Sequence, residues 1–174
     1  NSPSGCALDG DGNLLVADTG NHRIRKVDAR GILTTVAGTA TAGFTGDAGP
    51  AAAARLNSPR GVAVAGDGTI YIADTGNQRI RAVAPDGTIQ TIAGQDAAGF
   101  GGDGGDAMAA LLHAPAGVTV AGDGAVYVAD TGNNRIRRLT GTPLAPEAVE
   151  LPPPITVTSA AGPALATIAA GELI

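Results

Sequence analysis

A ten-residue stretch occurs three times in the chain, at a constant interval of 56 residues, and its copies occupy residues 16–25, 72–81 and 128–137. Every copy contains Ala-Asp-Thr-Gly-Asn, then one variable residue, then Arg-Ile-Arg. Self-similarity at a fixed period of this size is the signature of solenoids, propellers and repeat arrays. The repeat therefore narrows the fold to these architectures before any single residue is considered.

Each repeat predicts four short β-strands. In the second repeat, the apolar runs lie at residues 61–64, 69–74, 79–83 and 88–93, and turns containing Asp-Gly or Thr-Gly-Asn separate them. Asp-Gly supplies the positive φ that tight hairpins need. Four consecutive strands predict one antiparallel sheet per repeat, and such a sheet repeated at this interval predicts a propeller blade. We expect an all-β fold with three β-propeller blades, part of a six-bladed ring.

The repeat also sets the expected boundaries. Propeller blades are predicted within residues 1–142, at about 1–38, 57–94 and 113–140. Long loops at 38–59 and 94–115 join them, and each is expected to contain one or two helical turns, at 50–56 and 106–112. Residues 143–154 are rich in proline and predict a stiff linker. We interpret residues 155–174 as the truncated start of a C-terminal module. Asn1 aligns with Asn57, which predicts that the chain begins inside a longer protein.

Composition excludes several classes of function. The net charge of −5 argues against a nucleic-acid-binding surface, which would need a basic patch. No apolar run approaches the roughly 20 residues that span a bilayer. Cys6 is the only cysteine, which excludes an internal disulfide and a zinc site made of cysteines. Because Val62 and Val118 occupy its position in the other repeats, we expect Cys6 to be a small buried hydrophobe.

The repeated polar residues are expected to have structural roles. The aspartate of each copy ends a strand, where its carboxylate can accept backbone N–H groups of the following turn. The arginines fall on one face of the third strand and are expected to pair with these aspartates in the same or a neighbouring blade. The structural set comprises Asp18, Asn21, Arg23, Arg25, Asp74, Asn77, Arg79, Arg81, Asp130, Asn133, Arg135 and Arg137.

Two sequences resemble calcium-binding motifs, and neither matches fully. Residues 9–13 have the oxygen spacing that opens an EF-hand loop, but Gly20 stands where that loop needs a glutamate. Residues 101–109 fit one nonapeptide of a calcium β-helix, whose sites need stacked copies. His22 and His113 are isolated, and no nucleophile or phosphate-binding motif is present. We expect no catalytic, metal-binding or cofactor-binding residues in this segment.

One end of the blades is the better candidate for binding. In an up-and-down sheet, the turn after the second strand and the connection to the next blade lie at the same end, so the Asp-Thr-Gly-Asn turns and long loops share one face. Loops on a rigid scaffold are where binding usually occurs. The candidates are Phe44, Asp47, Arg55, Phe100, Asp103 and His113. The alternative is that both phenylalanines anchor their own loops and both aspartates accept hydrogen bonds from their own loop backbone.

The second repeat, with Pro-x-Gly-Val-Ala-Val, then Asp-Gly-x-Ile-Tyr-Ile-Ala-Asp-Thr-Gly-Asn-x-Arg-Ile-Arg, closely resembles the NHL repeat. The resemblance covers residues 1–140. Residues 42–51 and 98–107 are similar to a long-loop variant that is common in bacterial secreted and cell-envelope proteins. The tail resembles the start of a C-terminal module that follows such propellers. The resemblance implies that the protein is secreted or belongs to the cell envelope.

The resemblance leaves three functions open. NHL propellers mostly act as scaffolds, which implies a non-enzymatic module that binds a protein or carbohydrate ligand. The first alternative is a metal-dependent propeller enzyme, a lactonase-like hydrolase or a lyase, whose ligands lie in other blades. The second is a structural spacer. Because three blades leave apolar faces open, the chain is also expected to associate with itself.

Overall fold

Three antiparallel β-sheets follow one another along the chain, one for each repeat. The structure is a computed structural model that describes residues 1–140, 156–159 and 166–169. Blade 1 contains, in spatial order, β1 (Gly5–Leu8), β2 (Leu14–Asp18), β3 (Arg23–Val27) and β4 (Leu33–Ala37). Blade 2 contains, in spatial order, β6 (Gly61–Val64), β7 (Ile70–Asp74), β8 (Arg79–Val83) and β9 (Thr88–Ala93). A two-residue strand from the preceding loop, β5 (Gly49–Pro50), pairs with the free edge of β9. The predicted all-β fold of four-stranded antiparallel blades is confirmed.

Blade 3 contains β10 (Pro115–Val120), β11 (Val126–Asp130), β12 (Arg135–Thr140), β13 (Thr156–Ser159) and β14 (Ala166–Ala169). The backbone of β13 pairs with β12, so that Arg137 lies opposite Ser159. This pairing gives β13 the place that the fourth strand has in blades 1 and 2. The sequence had instead suggested that a separate module begins at residue 155. The linker at 143–154 lies outside the described residues, and the division of the chain at that point stays a prediction.

Helical structure in the described part of the chain is limited to short 3-10 segments. Three of them are the Thr-Gly-Asn turns, and two lie in the long loops where helical turns were expected: Thr19–Asn21, Thr75–Asn77, Thr131–Asn133, Ala51–Ala53 and Ala107–Ala109. None of the described helices has the length and apolar character needed to cross a membrane.

The Asp-Gly hairpins explain why the strands end where they do. Asp67 Oδ1 accepts the backbone N–H of Thr69 at 2.9 Å, and Asp123 Oδ1 accepts that of Ala125 at 3.0 Å. Gly68 follows with φ of +89°, a backbone conformation that glycine adopts without steric cost. The carboxylate and the glycine together close a turn of fixed length, which sets the register of the first two strands.

The core consists of two layers, each between consecutive blades. Between blades 1 and 2, Leu15 and Ile24 share a buried cluster with Ile72, Val83 and other aliphatic residues. Between blades 2 and 3, the cluster contains residues from both sheets and from the second long loop, including Tyr71, Ile80, Val126, Val128 and Leu112. Each fully buried side chain of this size contributes about 1.5–3 kcal/mol. The blades are therefore held together mainly by apolar contact between sheet faces.

Glycines allow the innermost strands to approach closely. A Cβ on Gly5 would lie 2.4 Å from the carbonyl oxygen of Arg60, and a Cβ on Gly61 would lie 2.7 Å from that of Ala116. Such distances are too short for any side chain. The glycine that opens β1 and β6 is therefore required by blade packing rather than by a turn.

Cys6 corrects one expectation from the sequence. Its side chain is exposed, whereas Val62, its counterpart in blade 2, is 5% exposed. Both residues lie on the sheet face that looks back toward the preceding blade. Val62 is covered by blade 1, and Cys6 has no described blade on that side. Burial at this position depends on a neighbouring blade, which the residue type does not reveal.

Candidate binding face

The Asp-Thr-Gly-Asn turns and the long loops meet at one end of the blades. Asn77 Nδ2 donates to the carbonyl oxygen of Gly43 at 2.8 Å, and Asn133 Nδ2 donates to that of Gly99 at 2.6 Å. Each loop thus contacts the turn of the blade that follows it. We call this end the long-loop face, defined by these turns together with residues 38–59 and 94–115.

Each turn aspartate is the centre of a hydrogen-bond cluster. Asp74 is fully buried and accepts the backbone N–H of Asn57 and the Nδ2 of Asn77, both at 2.7 Å. Asp130 is also fully buried and accepts the backbone N–H of His113 at 2.7 Å. Desolvation raises the pKa of Asp74 to about 6, although these hydrogen bonds and the nearby arginine charges act in the opposite direction.

Two fully buried arginines attach the long loops to the blades. Arg81 pairs with Asp47 of the loop at 2.6 Å, and its other terminal nitrogen lies 3.7 Å from Asp74. Arg137 in blade 3 pairs in the same way with Asp103 and lies 3.5 Å from Asp130. One guanidinium therefore connects the carboxylate of the preceding loop with the turn carboxylate of its own blade.

Loop backbone groups complete these clusters. Arg137 donates to the carbonyl oxygens of Leu111 at 2.7 Å and Gly101 at 3.0 Å. Asp47 also accepts a hydrogen bond from Thr91 Oγ1 at 2.8 Å. The sequence had suggested that Asp47 and Asp103 bind their own loop backbone. The structure corrects this, because both carboxylates reach an arginine of the following blade.

The two phenylalanines stack on the first arginine of the Arg-Ile-Arg sequence in the following blade. The guanidinium carbon of Arg79 lies 3.7 Å from the Phe44 ring centroid, and that of Arg81 lies 4.9 Å from it. In the next repeat, Arg135 lies 3.7 Å from the Phe100 ring centroid. Cation–π contacts of this kind contribute about 0.5–2 kcal/mol. Each long loop is therefore fixed both by an ion pair and by a stacked ring.

The structure separates the six candidate residues into two groups. Phe44, Asp47, Phe100 and Asp103 contact arginines of the following blade. The side chains of Arg55 and His113 are exposed, and Phe100 keeps 46% of its surface exposed. The assignment of all six to a binding surface stays a prediction.

Blade 1 uses its arginines differently. Arg25 Nε donates to the carbonyl oxygen of Thr34 at 3.1 Å, and Arg23 donates to that of Thr39 at 3.5 Å. Asp18 accepts from Asn21 Nδ2 at 3.0 Å and from the amino group of Asn1. The turn cluster is thus present in blade 1, while Arg25 binds within the blade and Arg23 binds the start of the following loop.

Sequence reasoning missed the hydrogen bonds that join one blade to the next. Thr19 Oγ1 donates to the carbonyl oxygen of Pro59, and Thr75 Oγ1 to that of Pro115, both at 2.6 Å. The variable residue of the repeat accepts from the next blade: Ser58 N donates to His22 Nδ1 at 3.0 Å, and Ala114 N donates to Gln78 Oε1 at 2.7 Å. The side chains of His22, Gln78 and Asn134 can all accept a hydrogen bond. This shared property of the variable position could have predicted the bonds between blades.

The calcium-like sequences form ordinary turns. The carboxylate of Asp9 accepts the backbone N–H of Asn13 at 2.8 Å and pairs with Lys26 at 2.8 Å, and these bonds hold its pKa well below the usual range. Asp106 accepts the backbone N–H of Met108 at 2.9 Å. Across the described residues, no three His, Cys, Asp or Glu side chains cluster so as to hold a metal ion.

Two family models match the chain. The model described as the NHL repeat matches residues 1–27 and 112–139, and the teneurin NHL domain matches residues 40–99. Teneurin-1 of Mus musculus is 33% identical over 143 residues, which cover 75% of this chain and 5% of teneurin-1. The chloroplastic protein SUPPRESSOR OF QUENCHING 1 of Arabidopsis thaliana is 34% identical over 148 residues, 78% of this chain and 14% of that protein. The chain thus spans a small part of these relatives.

Solved structures with the same fold are also larger than this chain. A protein of unknown function from Bacteroides thetaiotaomicron has a TM-score of 0.64 and 26% identity, over 74% of this chain and 32% of its own. An auxiliary nutrient binding protein from Bacteroides ovatus has a TM-score of 0.62 and 22% identity, over 82% and 37%. A gluconolactonase from Xanthomonas campestris has a TM-score of 0.52 and 17% identity, over 98% and 48%. The family models and the teneurin-1 match, together with the three antiparallel blades, show that the chain belongs to the NHL-repeat β-propeller family.

Proposed function

We propose that this chain is a non-enzymatic interaction scaffold whose long-loop face binds a protein or carbohydrate ligand. The observation that carries the proposal is the attachment of both long loops through the buried side chains of Arg81 and Arg137. Fixed loops present a preorganised surface, which reduces the ordering cost of binding. The nutrient binding protein of similar fold supports this class of function.

The exposed part of the face has the composition of a binding surface. Phe100 and Met108 are 46% and 47% exposed, and Arg55 and His113 add exposed polar groups. Aromatic residues, Met and Arg are enriched where proteins bind partners. We place the protein in the secreted or cell-envelope class because its loops resemble the long-loop NHL variant.

The test compares exposed residues of the long-loop face with exposed residues elsewhere. The full-length protein is screened against arrays of glycans and of extracellular proteins, and its ligand affinity is then measured for the variant Arg55→Glu/Met108→Ser/His113→Ser. We expect at least a tenfold loss of affinity with an unchanged circular dichroism spectrum. The control is Arg30→Ser, whose side chain is 82% exposed in the turn after β3. Equal affinity of the triple variant and the control would reject the long-loop face.

The second candidate is a metal-dependent hydrolase or lyase, and the gluconolactonase of similar fold favours it. In that case the metal ligands would come from other blades of the protein. Elemental analysis of the purified full-length protein decides between the two. Near-stoichiometric zinc or calcium that survives dialysis against a chelator would favour the enzyme. A structural spacer is the remaining possibility and predicts no saturable ligand on either array.

A further inference from the structure

A cleft of 490 Å³ lies between blades 1 and 2, at the end opposite the long-loop face. The turns that line it belong to the β1–β2, β6–β7 and β8–β9 hairpins. Its apolar walls are formed by Leu15, Val36, Val64, Ile70, Val83 and Pro85. Clefts of about 300–1,000 Å³ hold small molecules. The cleft therefore has the size of a ligand site, and it involves none of the residues of the long-loop face.

The same place between blades 2 and 3 contains an aromatic ring. The repeat interval of 56 residues puts Tyr71 at the position of Leu15. Tyr71 is 3% exposed and belongs to the buried cluster that contains Val126 and Leu139. These two residues are the counterparts of Ile70 and Val83, which line the cleft. A phenol ring thus packs against the same kind of wall one interface further along the chain.

The rim of the cleft carries an ion pair that the second interface lacks. Lys26 and Asp9 lie at the rim and form an ion pair at 2.8 Å, where the second interface has the buried Ala82 and the partly buried Ala65. Two further carboxylates, Asp11 and Asp67, also line the cleft and are exposed. Neither of them forms an ion pair with any residue that the structure describes. The excess of negative charge favours a cation at the mouth of the cleft.

We propose that this cleft binds a small aromatic amine. The ring lies against the accessible side chains of Val64, Ile70 and Pro85, beside the position that the Tyr71 ring occupies one interface further on. The ammonium group lies at the rim, near Asp11 and Asp67. This site is separate from the long-loop face and does not depend on the function proposed there.

Tyramine is the probe, and binding to the full-length protein is followed by calorimetry and by NMR shifts of residues at the cleft. We expect saturable binding to the wild type. The ligand 4-ethylphenol tests the amine, and butylamine tests the ring; both are expected to bind more weakly than tyramine. Equal binding of either one would overturn the corresponding half of the proposal. No saturable tyramine binding up to about 10 mM would overturn it entirely.

Variants localise the binding. Leu15→Tyr gives blade 1 the tyrosine that blade 2 has at the same position. Its ring should fill the cleft, and the variant is expected to lose tyramine binding. Asp11→Asn removes one charge at the rim, and Asp67→Asn does the same while keeping the side-chain oxygen that accepts the backbone N–H of Thr69. Each is expected to weaken binding about twofold to fivefold. The matched control is Asp123→Asn in the corresponding hairpin of blade 3, which should bind as the wild type does. If Leu15→Tyr does not fold, the two asparagine variants still decide, and wild-type affinity in both would overturn the site.

Discussion

At the level of single residues, the buried guanidinium groups of two arginines each contact more than one carboxylate. Arg81 and Arg137 are fully buried, and each contacts a loop aspartate, a turn aspartate and loop carbonyl groups. Removing one partner of a buried charge pair leaves the other charge without compensation, which costs more than the pair itself contributes. These two arginines are therefore the residues whose loss should most affect the attachment of the loops.

The first prediction is that Arg81→Met lowers the free energy of unfolding by about 3–5 kcal/mol, because Asp74 stays buried without its arginine. Arg25→Met is the matched control, since Arg25 is the counterpart in blade 1 and donates to a carbonyl oxygen there. The Arg25→Met variant should lose less than about 1 kcal/mol of unfolding free energy. Urea unfolding followed by circular dichroism measures both. Equal losses in the two variants would show that the buried pairs are not what fixes the loop.

The second prediction concerns pH. The pKa of Asp74 is raised to about 6 in the folded protein, above the ordinary aspartate value of 3.8. A raised carboxyl pKa means that the folded state binds the proton more tightly, so this contribution to stability is full below about pH 4 and is lost as pH rises through 6. Its full size is up to about 3 kcal/mol. Asp74→Asn should remove this dependence.

The measurement is the difference in unfolding free energy between Asp74→Asn and the wild type, taken at two pH values. The unfolding free energy of the variant minus that of the wild type should be larger at pH 7 than at pH 4.5. Taking the difference cancels the other carboxylates, such as Asp28, whose lowered pKa gives the opposite slope. A difference that does not change with pH would show that Asp74 titrates normally.

At the level of strands and sheets, the inner strands of neighbouring blades pack closely, and Gly61 lies at one such contact. Gly61→Ala is the third prediction: the added methyl would lie 2.7 Å from the carbonyl oxygen of Ala116, so blades 2 and 3 must separate slightly. Overpacking of this kind costs about 1–3 kcal/mol. Gly66→Ala is the control, because a Cβ there meets nothing within 4 Å. Thermal melts that show the same loss at both sites would contradict the close approach of the inner strands.

The second long loop is part of the core, which changes what its removal would do. Leu112 is 2% exposed, and together with Ala107 and Ala110 it belongs to the cluster between blades 2 and 3. The fourth prediction is that Leu112→Ala costs about 2–5 kcal/mol of stability. Met108→Ala, in the same loop but 47% exposed, should change stability little. Similar urea midpoints for the two variants would show that the loop lies outside the core, and it could then be shortened without loss of the fold.

The strands could be predicted from the sequence because they repeat, and the loops could not because their partners lie elsewhere in the chain. Alternation of apolar residues and the Asp-Gly turns placed β6 to β9 correctly. The role of Asp47 depends on Arg81, 34 residues further on, and no local pattern indicates such a pair. Cys6 was expected to be buried because valines occupy its position in the other repeats, although burial there depends on a neighbouring blade. Periodicity therefore predicted the blades, while the contacts between them required the structure.

At the scale of the whole molecule, the two outer blades present opposite halves of one interface. In blade 1, Leu8 is 65% exposed and Leu14 is 37% exposed. The same face of blade 2 packs against blade 1. Blade 3 exposes Ile136 at 47%, whereas its counterpart Ile80 is fully buried against the next blade. Thr131 and Asn134 are exposed as well, and their counterparts in blades 1 and 2 bond to the next blade.

The fifth prediction is that the isolated 174-residue polypeptide pairs blade 3 of one copy with blade 1 of another, which closes a ring of six blades with two-fold symmetry. The receiving backbone already has the required conformation, because Ser2 has φ of +48°, the same value as Ser58 and Ala114. Light scattering at increasing concentration should show dimers, and Ile136→Asp should shift them to monomers. Ile32→Asp is the control, since Ile32 is 52% exposed in a hairpin turn rather than on the blade 3 face, and it should leave the dimer intact. A monodisperse wild-type monomer with a cooperative melt would show that three blades are stable with both faces open, and the pairing would be rejected.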